Sequence, residues 1–569
     1  MMALMGEITE KPEWNRKVFD EEIVSKWRAE TLALNDDAQP ERVLTVKAFD
    51  YCMEELRDYA AQFEKTGMIP AIHADGVVYK SDTCVTAEMK AALKAAAAVL
   101  EDVDDSKKDW HPHSDEKVLD LVHPSLFPLL YGRSTVLSES EGTVPLRDCD
   151  AYIGKGLIAP IPKDKDLKVK RFHGEQSEWP HWRYGNYHFY SKRYQWLPCE
   201  IAFRGDDEVE ITSYINNLHP RQHEPLYKAL ESIIAKVIPM WDGCLNKANP
   251  YFERPPPRDD ANADWIDSNK PRPRNRKEER HYSKDEIWDL DEEWRMANRI
   301  LIMPDLQHDY QTRANYIKAE RKTSTTPVNL RKDWAQQGLQ IIVKLANIHL
   351  TPEKPEYEGG SWHIEGQLNE HICASALYYY DMSNITTSHL SFRESTAVEH
   401  LHSKPYEQYD HAHFERVYDI PPSGSAIQSL GNVLTRENRV LAFPNVFQHR
   451  VEPFRLADAT RSGHRKILAL FLVDPFLRVP STANVPPQQM DWWRDLVECG
   501  LDRGAAKNLP REVVEGIVES GAAAGDGKGL PVELEEAKKI RLELMEERKM
   551  FVRDVDRRFE MESFSFCEH

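Results

Sequence analysis

Cysteine, long apolar runs and positive charge are all scarce in this chain of 569 residues, and each scarcity narrows what it can be. There are eight cysteines, Cys52, Cys84, Cys149, Cys199, Cys244, Cys373, Cys499 and Cys567, with no two spaced C-x-x-C. That argues against a zinc ribbon or a disulfide scaffold and fits a reducing compartment. No run of about 18 apolar residues occurs, so no segment reads as a membrane span. The opening MMALMGEITEKPEW is too short and too acidic for a signal peptide, and the cytoplasm is the expected location. Lys and Arg number 74 against 94 Asp and Glu, a formal net charge of −20. A chain so acidic is repelled by phosphate backbones and anionic bilayers, which argues against nucleic-acid and membrane partners. One basic stretch, PRPRNRKEER (271–280), runs the other way; it reads as a solvated loop, with a nuclear address as the alternative.

What the chain has is material for a large core, 41% hydrophobic with 14 Trp and 22 Tyr, and a change of period along its length. Residues 1–195 read as mainly helical, led by TAEMKAALKAAAAVLEDV (86–103), while EKVLDLVHPSLFPLLYG (116–132) is apolar but broken by prolines. The aromatic stretch WPHWRYGNYHFYSKRYQW (179–196) reads as a core seam, with a substrate-pocket wall as the sharper alternative. Residues 196–252 hold a hairpin, CEIAF and EVEIT around RGDD, and a helix, EPLYKALESIIAKVIPMW (224–241). Asn216, Asn217 and His219 between them read as loop and capping residues. Residues 253–285, charged and proline-rich, read as a flexible loop. Within 286–480 the period becomes that of strands: GLQIIVKLANIHL (338–350), ICASALYYYDM (372–382), VLTRENRVLAFPN (433–445) and RKILALFLVDP (465–475). Short strands joined by Gly, Pro and Asn turns point to a sandwich or jelly roll. Residues 481–569 turn helical again. Pro531 marks a helix start, and the Glu and Lys spacing of 532–559 predicts an exposed helix that covers the core or joins a second subunit as a homo-oligomer.

The chemistry concentrates in GGSWHIEGQLNE (359–370). On a strand, His363 and Glu365 share one face. Alone, such a pair is most often a polar surface. LAFPNVFQHRVEPF (441–454) adds His449 after an apolar strand and a proline-bounded turn. Two histidines and a carboxylate with open coordination positions form the facial triad of non-haem Fe(II) oxygenases. Gly359 and Gly360 let the backbone bend into the ligand segment, and Trp362 reads as packing. Arg465 opens the last apolar strand, where a guanidinium can hold a carboxylate by two parallel hydrogen bonds; Arg455 and Arg461 compete from the turn-rich FRLADATRSGH (454–464). DHAHFE (410–415), with His411, His413 and Glu415, is a rival metal motif without the glycines and strands a site needs, and His400 and His402 read as loop residues.

These residues carry a resemblance. Segment 338–476 resembles the double-stranded β-helix of the 2-oxoglutarate and Fe(II)-dependent dioxygenases, through WHIEG, ASALYYYD, GNVLTRENRVLAFPNVFQHRVEP and GHRKILALFLVD. Over most of its length the chain also resembles the mainly fungal domain of unknown function 4246 (DUF4246) family, through SYINNLHP, LTPEKPEYEGGSWHIEG and HRKILALFLVDP. The resemblance implies an α+β fold: a double-stranded β-helix (jelly-roll, cupin-like) core with N-terminal and C-terminal helical additions. It implies His363, Glu365 and His449 as the iron ligands, Arg465 as the 2-oxoglutarate anchor and Tyr379 as a second co-substrate contact. The implied activity is oxidation of a C–H bond of a small molecule, by hydroxylation, desaturation or cyclisation, using Fe(II), 2-oxoglutarate and O2, with ascorbate in support. Glu365 departs from the commoner Asp, and Arg465 lies sixteen residues past His449, so the loop between them has to bulge. Two other readings stay open at this level: an iron oxygenase of the same fold without 2-oxoglutarate, and a non-catalytic binding scaffold.

Overall fold

The computed structural model of the chain describes residues 1–35, 44–73, 76–163, 190–247, 328–395, 424–502 and 531–561, with short pieces between 264 and 315 and at 512–516. Helices and antiparallel sheets are mixed. The main sheet has nine strands: β1 (Ile69–His73), β2 (Val77–Ser81), β3 (Val118–Val122), β4 (Cys199–Arg204), β5 (Glu208–Ile211), β6 (Leu339–Leu350), β7 (Ile372–Ser383), β10 (Arg439–Pro444) and β12 (Gly463–Val473). Its order is β1-β2-β10-β7-β12-β6-β4-β5, with β3 also paired to β6. Opposite it lies a three-stranded sheet, β8 (Ser388–Ser395) between β9 (Ile427–Thr435) and β11 (Gln448–Val451).

Period-two alternation sorts the core into two layers. On the outer face, Ile341, Val343 and Leu345 of β6 and Leu468, Leu470 and Leu472 of β12 meet Ile233, Ile234, Val237 and Trp241 of a long helix, α4 (Glu224–Lys247). On the inner face, Ile342, Leu377, Tyr379, Ala469 and Phe471 meet Leu390, Phe392 and Val433 of the small sheet. Residues β6 Ile341–Leu350 pair with β12 Leu472–Gly463 without a break, so the inward and outward sets stay in phase along both strands.

The N-terminal region is less helical than its composition suggests. Its helices include α1 (Met2–Thr9), α2 (Val46–Thr66) and α3 (Ala87–Glu101). Thr45 and Thr86 cap α2 and α3 through their side chains, and Gly67, at φ +65°, ends α2. Between and after them β1, β2 and β3 join the main sheet, because Val77, Val78 and Val122 have core surface waiting for them. The hairpin β4–β5 likewise extends the same sheet, so 1–195 and 196–252 do not stand apart from the strand core. Asn216 and Asn217 donate to the carbonyls of His123, Leu126 and Phe127, the loop role expected of them. In the basic stretch, Arg272 and Arg274 pair with Asp291 and Glu279. The aromatic residues 179–189, residues 253–263, and the histidines of 396–416 lie outside the described residues; Tyr194 and Trp196 are buried core.

The C-terminal helix, α5 (Leu534–Met561), starts three residues after Pro531, because Val532 N–H first donates to Gln488 and holds the chain extended. It lies on its own chain. Ala537, Arg541, Leu544, Arg548, Phe551 and Val555, spaced three and four apart, form its buried stripe.

Candidate metal centre and its cavity

His363 and His449 meet across one bridge: each backbone N–H donates to the other's carbonyl, at 3.2 and 3.0 Å. Gly359 makes this approach workable. It sits at φ +88°, and a Cβ there would come within 2.7 Å of the Val451 carbonyl oxygen. Beyond the bridge the segment bends, so Glu365 is not on a continuing strand as alternation predicts. Asn445 holds it instead. The Asn445 side chain accepts from Glu365 N–H at 2.9 Å and donates to the carbonyls of Glu365 and Ile372. Nothing in the spacing of Asn445 announced this; its place in a proline-bounded turn beside the ligand strand was the only hint.

The side chains converge. Glu365 Oε1 lies 3.6 Å from His363 Nε2 and 3.4 Å from His449 Nε2, and one ligand atom from each of the three lies within 4.8 Å of the others. His363 Nδ1 donates to the Ser361 carbonyl at 2.8 Å, which leaves the Nε2 lone pair free to meet a cation. His449 packs 4.8 Å from the Phe443 ring of the main sheet, so the cluster faces the space between the two sheets. Burial works against charge on all three. It holds His449 below the usual imidazole range, with the neighbouring His363 adding to the effect, whereas the bond to Glu365 overrides burial and raises His363. The two imidazoles likewise override burial at Glu365 and keep its carboxyl well below the usual range. A neutral imidazole, a second one and a carboxylate on one point are a donor set for a divalent cation.

Arg465 and Tyr379 lie on the inner face of the same sheet. Arg465 is 0% exposed; its Nη1 donates to Ser388 Oγ at 2.8 Å, and its Nε and Nη2 have no partner among the described residues. The guanidinium sits 4.3 Å from the Phe454 ring centroid and 5.6 Å from that of Tyr379. Burial lowers the Arg465 pKa, and burial raises that of Tyr379 to about 12. Arg455, on a short edge strand, and Arg461, in a turn, are both exposed. The sixteen residues after His449 are taken up by a short ladder, Phe454–Arg455 on Glu356–Tyr357, and a turn at 458–462 held by Asn384. Trp362 packs between the guanidinium groups of Arg393 and Arg450, each 4.7 Å from its ring centroid.

Helix α5 roofs this region. Arg548 binds the buried Glu370 at 2.5 Å and stacks 3.7 Å over Trp196. Phe551 closes a cavity of about 180 Å³ lined by Glu365, Gln367, Ile372 and Asn445. Asp556 accepts from Gln448 and Arg393, beside His449. A second cluster, His111, Asp120 and His123, also has metal-like spacing. One of its carboxylate oxygens is already engaged: Asp120 Oδ2 lies 2.8 Å from His111 Nδ1 and 3.6 Å from Arg541, which also binds Asp109 through two bonds. With a guanidinium in place this cluster ties α5 to β3.

Comparison with curated proteins finds no match. Solved structures that share part of the chain include the Fe(II)/(alpha)ketoglutarate-dependent dioxygenase TqaL, 13% identical over 29% of this chain and 53% of that one, with a TM-score of 0.17. A bsmA homolog from Methylobium petroleophilum PM1 is 13% identical over 31% and 58%, with a TM-score of 0.16. IDO from Bacillus thuringiensis is 12% identical over 31% and 68%, with a TM-score of 0.15. The chain thus spans little more than half the length of the first two. The family described as protein of unknown function (DUF4246) matches residues 46–496, its N-terminal domain profile matches residues 1–30, and the chain belongs to the DUF4246 family.

Proposed function

We propose that this protein is a non-haem Fe(II)- and 2-oxoglutarate-dependent dioxygenase built on a double-stranded β-helix, oxidising a C–H bond of a small molecule. One observation carries the reading: a fully buried guanidinium, two of its nitrogens unpartnered among the described residues, shares the space between the sheets with a convergent His-Glu-His cluster. A buried cation without a counter-ion is costly unless an anion arrives to meet it. A dicarboxylate chelating the metal at one end supplies that anion at the other.

His363, Glu365 and His449 would hold Fe(II), with Asn445 fixing the backbone at Glu365. Arg465 would hold the distal carboxylate, Ser388 orienting its fork and Tyr379 walling the pocket. Together, bound iron and 2-oxoglutarate supply O2 activation and C–H oxidation, with succinate and CO2 as co-products. The chain's own part is to position the reactants and exclude water: Phe392, Phe443 and Phe447 form a dry wall behind His449, and α5 covers the mouth.

The test is succinate release with Fe(II), 2-oxoglutarate and ascorbate, alongside metal content. His363→Ala and His449→Ala are each expected to lose bound iron and turnover. Iron retained at wild-type stoichiometry in both variants refutes the centre.

A further inference from the structure

The small sheet has three strands to the main sheet's nine, so part of the inner face has to be covered by something else. Helix α5 covers it. Arg541 reaches Asp109 and Asp120 beside β3, and Leu544 joins the inner cluster of Ile342, Trp196 and Phe471. Arg548 stacks on Trp196, and Phe551 closes the cavity that Glu365 lines. Asp556 ends the crossing on Arg393 and on Gln448, the residue before His449. The helix thus spans the mouth from the main sheet to the small one, past the His363–Glu365–His449 centre.

Its grip is mainly ionic. Glu533, just before the helix, pairs with Arg494, Glu536 with Arg133 and Glu543 with Arg193, at exposed or half-exposed positions along the rim. Such pairs hold weakly and yield to water and salt. The buried pairs of Arg541 and Arg548 keep the docked state dominant. Among the described residues of α5, the buried apolar anchors are Ala537, Leu544, Phe551 and Val555, few for a helix of 28 residues. The root is held differently. Val532 is buried; its N–H donates to the Gln488 carbonyl and its carbonyl accepts from Met490, while the Gln488 side chain donates to the carbonyls of Phe127 and Pro128. Off the mouth the helix keeps its form, since Lys538–Glu535 and Lys549–Glu546 pairs support it from within and it is far longer than an isolated helix needs to be. A fixed root, a self-supporting rod and a mainly ionic grip are the parts of a hinged lid.

We propose that α5 is a gate: a metal ion and small ligands reach the His363–Glu365–His449 centre only while the helix swings off the mouth about Val532. The proposal rests on the metal centre of the dioxygenase reading and deepens it by naming what controls entry. A gate has a kinetic signature that a structural strut lacks. Opening precedes both arrival and departure, so a looser lid speeds the two by the same factor and leaves affinity where it was.

The experiment is stopped-flow Co(II) binding to the full chain, followed by the visible absorbance of the bound ion, with release measured into excess EDTA. Wild type is compared with Leu544→Ala, Phe551→Ala and Arg548→Met, and hydrogen exchange of the α5 amides is recorded for each. Ile8→Ala, in the separate N-terminal core, is the control for general loosening. We expect the three α5 variants to exchange faster along the helix and to bind and release Co(II) about tenfold faster or more, well within what losing a buried side chain does to a docking equilibrium. Their dissociation constants should stay within about threefold of wild type, and Ile8→Ala should leave both rates unchanged. Four results overturn the proposal: helix exchange faster but Co(II) rates unchanged, helix exchange unchanged in all three variants, faster binding with a shifted dissociation constant, or equal acceleration in Ile8→Ala. Failure of wild type to bind Co(II) at equilibrium is a separate result and removes the metal centre itself.

Discussion

Arg465 states the energetic problem of the site in one side chain. Its guanidinium is fully buried and, among the described residues, makes one hydrogen bond, to a hydroxyl, and meets no carboxylate. Replacing even a buried ion pair by apolar side chains of similar volume is often neutral or stabilising, by up to about 4 kcal/mol, and a buried charge without a counter-ion has less attraction to lose. Arg465→Met is therefore expected to unfold at higher temperature than wild type when metal and 2-oxoglutarate are absent, and to lose the stabilisation that Mn(II) with 2-oxoglutarate gives wild type by mass action. A variant less stable without ligand and equally stabilised with it contradicts this. His349 makes a pH prediction. Burial, with the nearby His464 and Lys466 adding positive charge, pushes its pKa down to about 4 from an ordinary 6.5. Between those values the unfolded chain binds the proton and the folded chain resists it, so stability falls as pH drops through this window. His349→Asn should flatten that fall, by on the order of 2 kcal/mol between pH 7 and pH 4.5, read from urea midpoints. The convergent cluster was legible residue by residue, because H-x-E after a glycine pair and a distant histidine after an apolar strand are local patterns. Asn445, Ser388 and Glu370 were not, since each acts through a partner far along the chain and no spacing rule marks it.

At the scale of elements, strands with clean alternation could be read directly: β6, β7, β10 and β12 lie where the pattern put them. The C-terminal helix could be read as a helix, but not by its partner. Its buried stripe contains two arginines, Arg541 and Arg548, whose carboxylates come from residues 109, 120 and 370, so the stripe looks polar until those partners are known. This makes α5 an ion-paired roof. Removing Arg548 leaves Glu370, itself 0% exposed, without its guanidinium. Arg548→Ala should weaken docking of the helix by about 3–5 kcal/mol, the cost of breaking a buried pair. Leu544→Ala, at a site with no exposure, should cost about 2–5 kcal/mol through its cavity. Hydrogen exchange of the α5 amides is the measurement: both variants should speed exchange there while leaving β6 and β12 protected. Uniform acceleration across the main sheet would mean that the helix is part of the core rather than a roof over it.

At the scale of the molecule, the two matched family segments, 1–30 and 46–496, meet at one ion cluster. Glu10, just after α1, binds Arg439 of β10 at 2.7 and 2.9 Å and Lys80 of β2 at 2.5 Å; Asp82 closes the group by binding Arg439 at 2.7 and 2.8 Å. Arg439 is 0% and Lys80 2% exposed. The cluster therefore fastens the N-terminal helices, whose own small core includes Ile8, Trp14, Trp27 and Phe49, to the edge of the main sheet. Burial lowers the Lys80 pKa to about 8, and Glu10 opposes that shift. Without Glu10 the ammonium loses its nearest anion. Glu10→Ala should then cost about 3–5 kcal/mol, the usual penalty for leaving a buried charge unpaired. Adding Lys80→Met should recover part of it, since the two residues share one network and their effects are not additive. Urea unfolding followed by tryptophan fluorescence reads both. If the double variant is as unstable as the sum of the two single variants, Lys80 and Glu10 act independently and the fastening is carried by Arg439 and Asp82 alone.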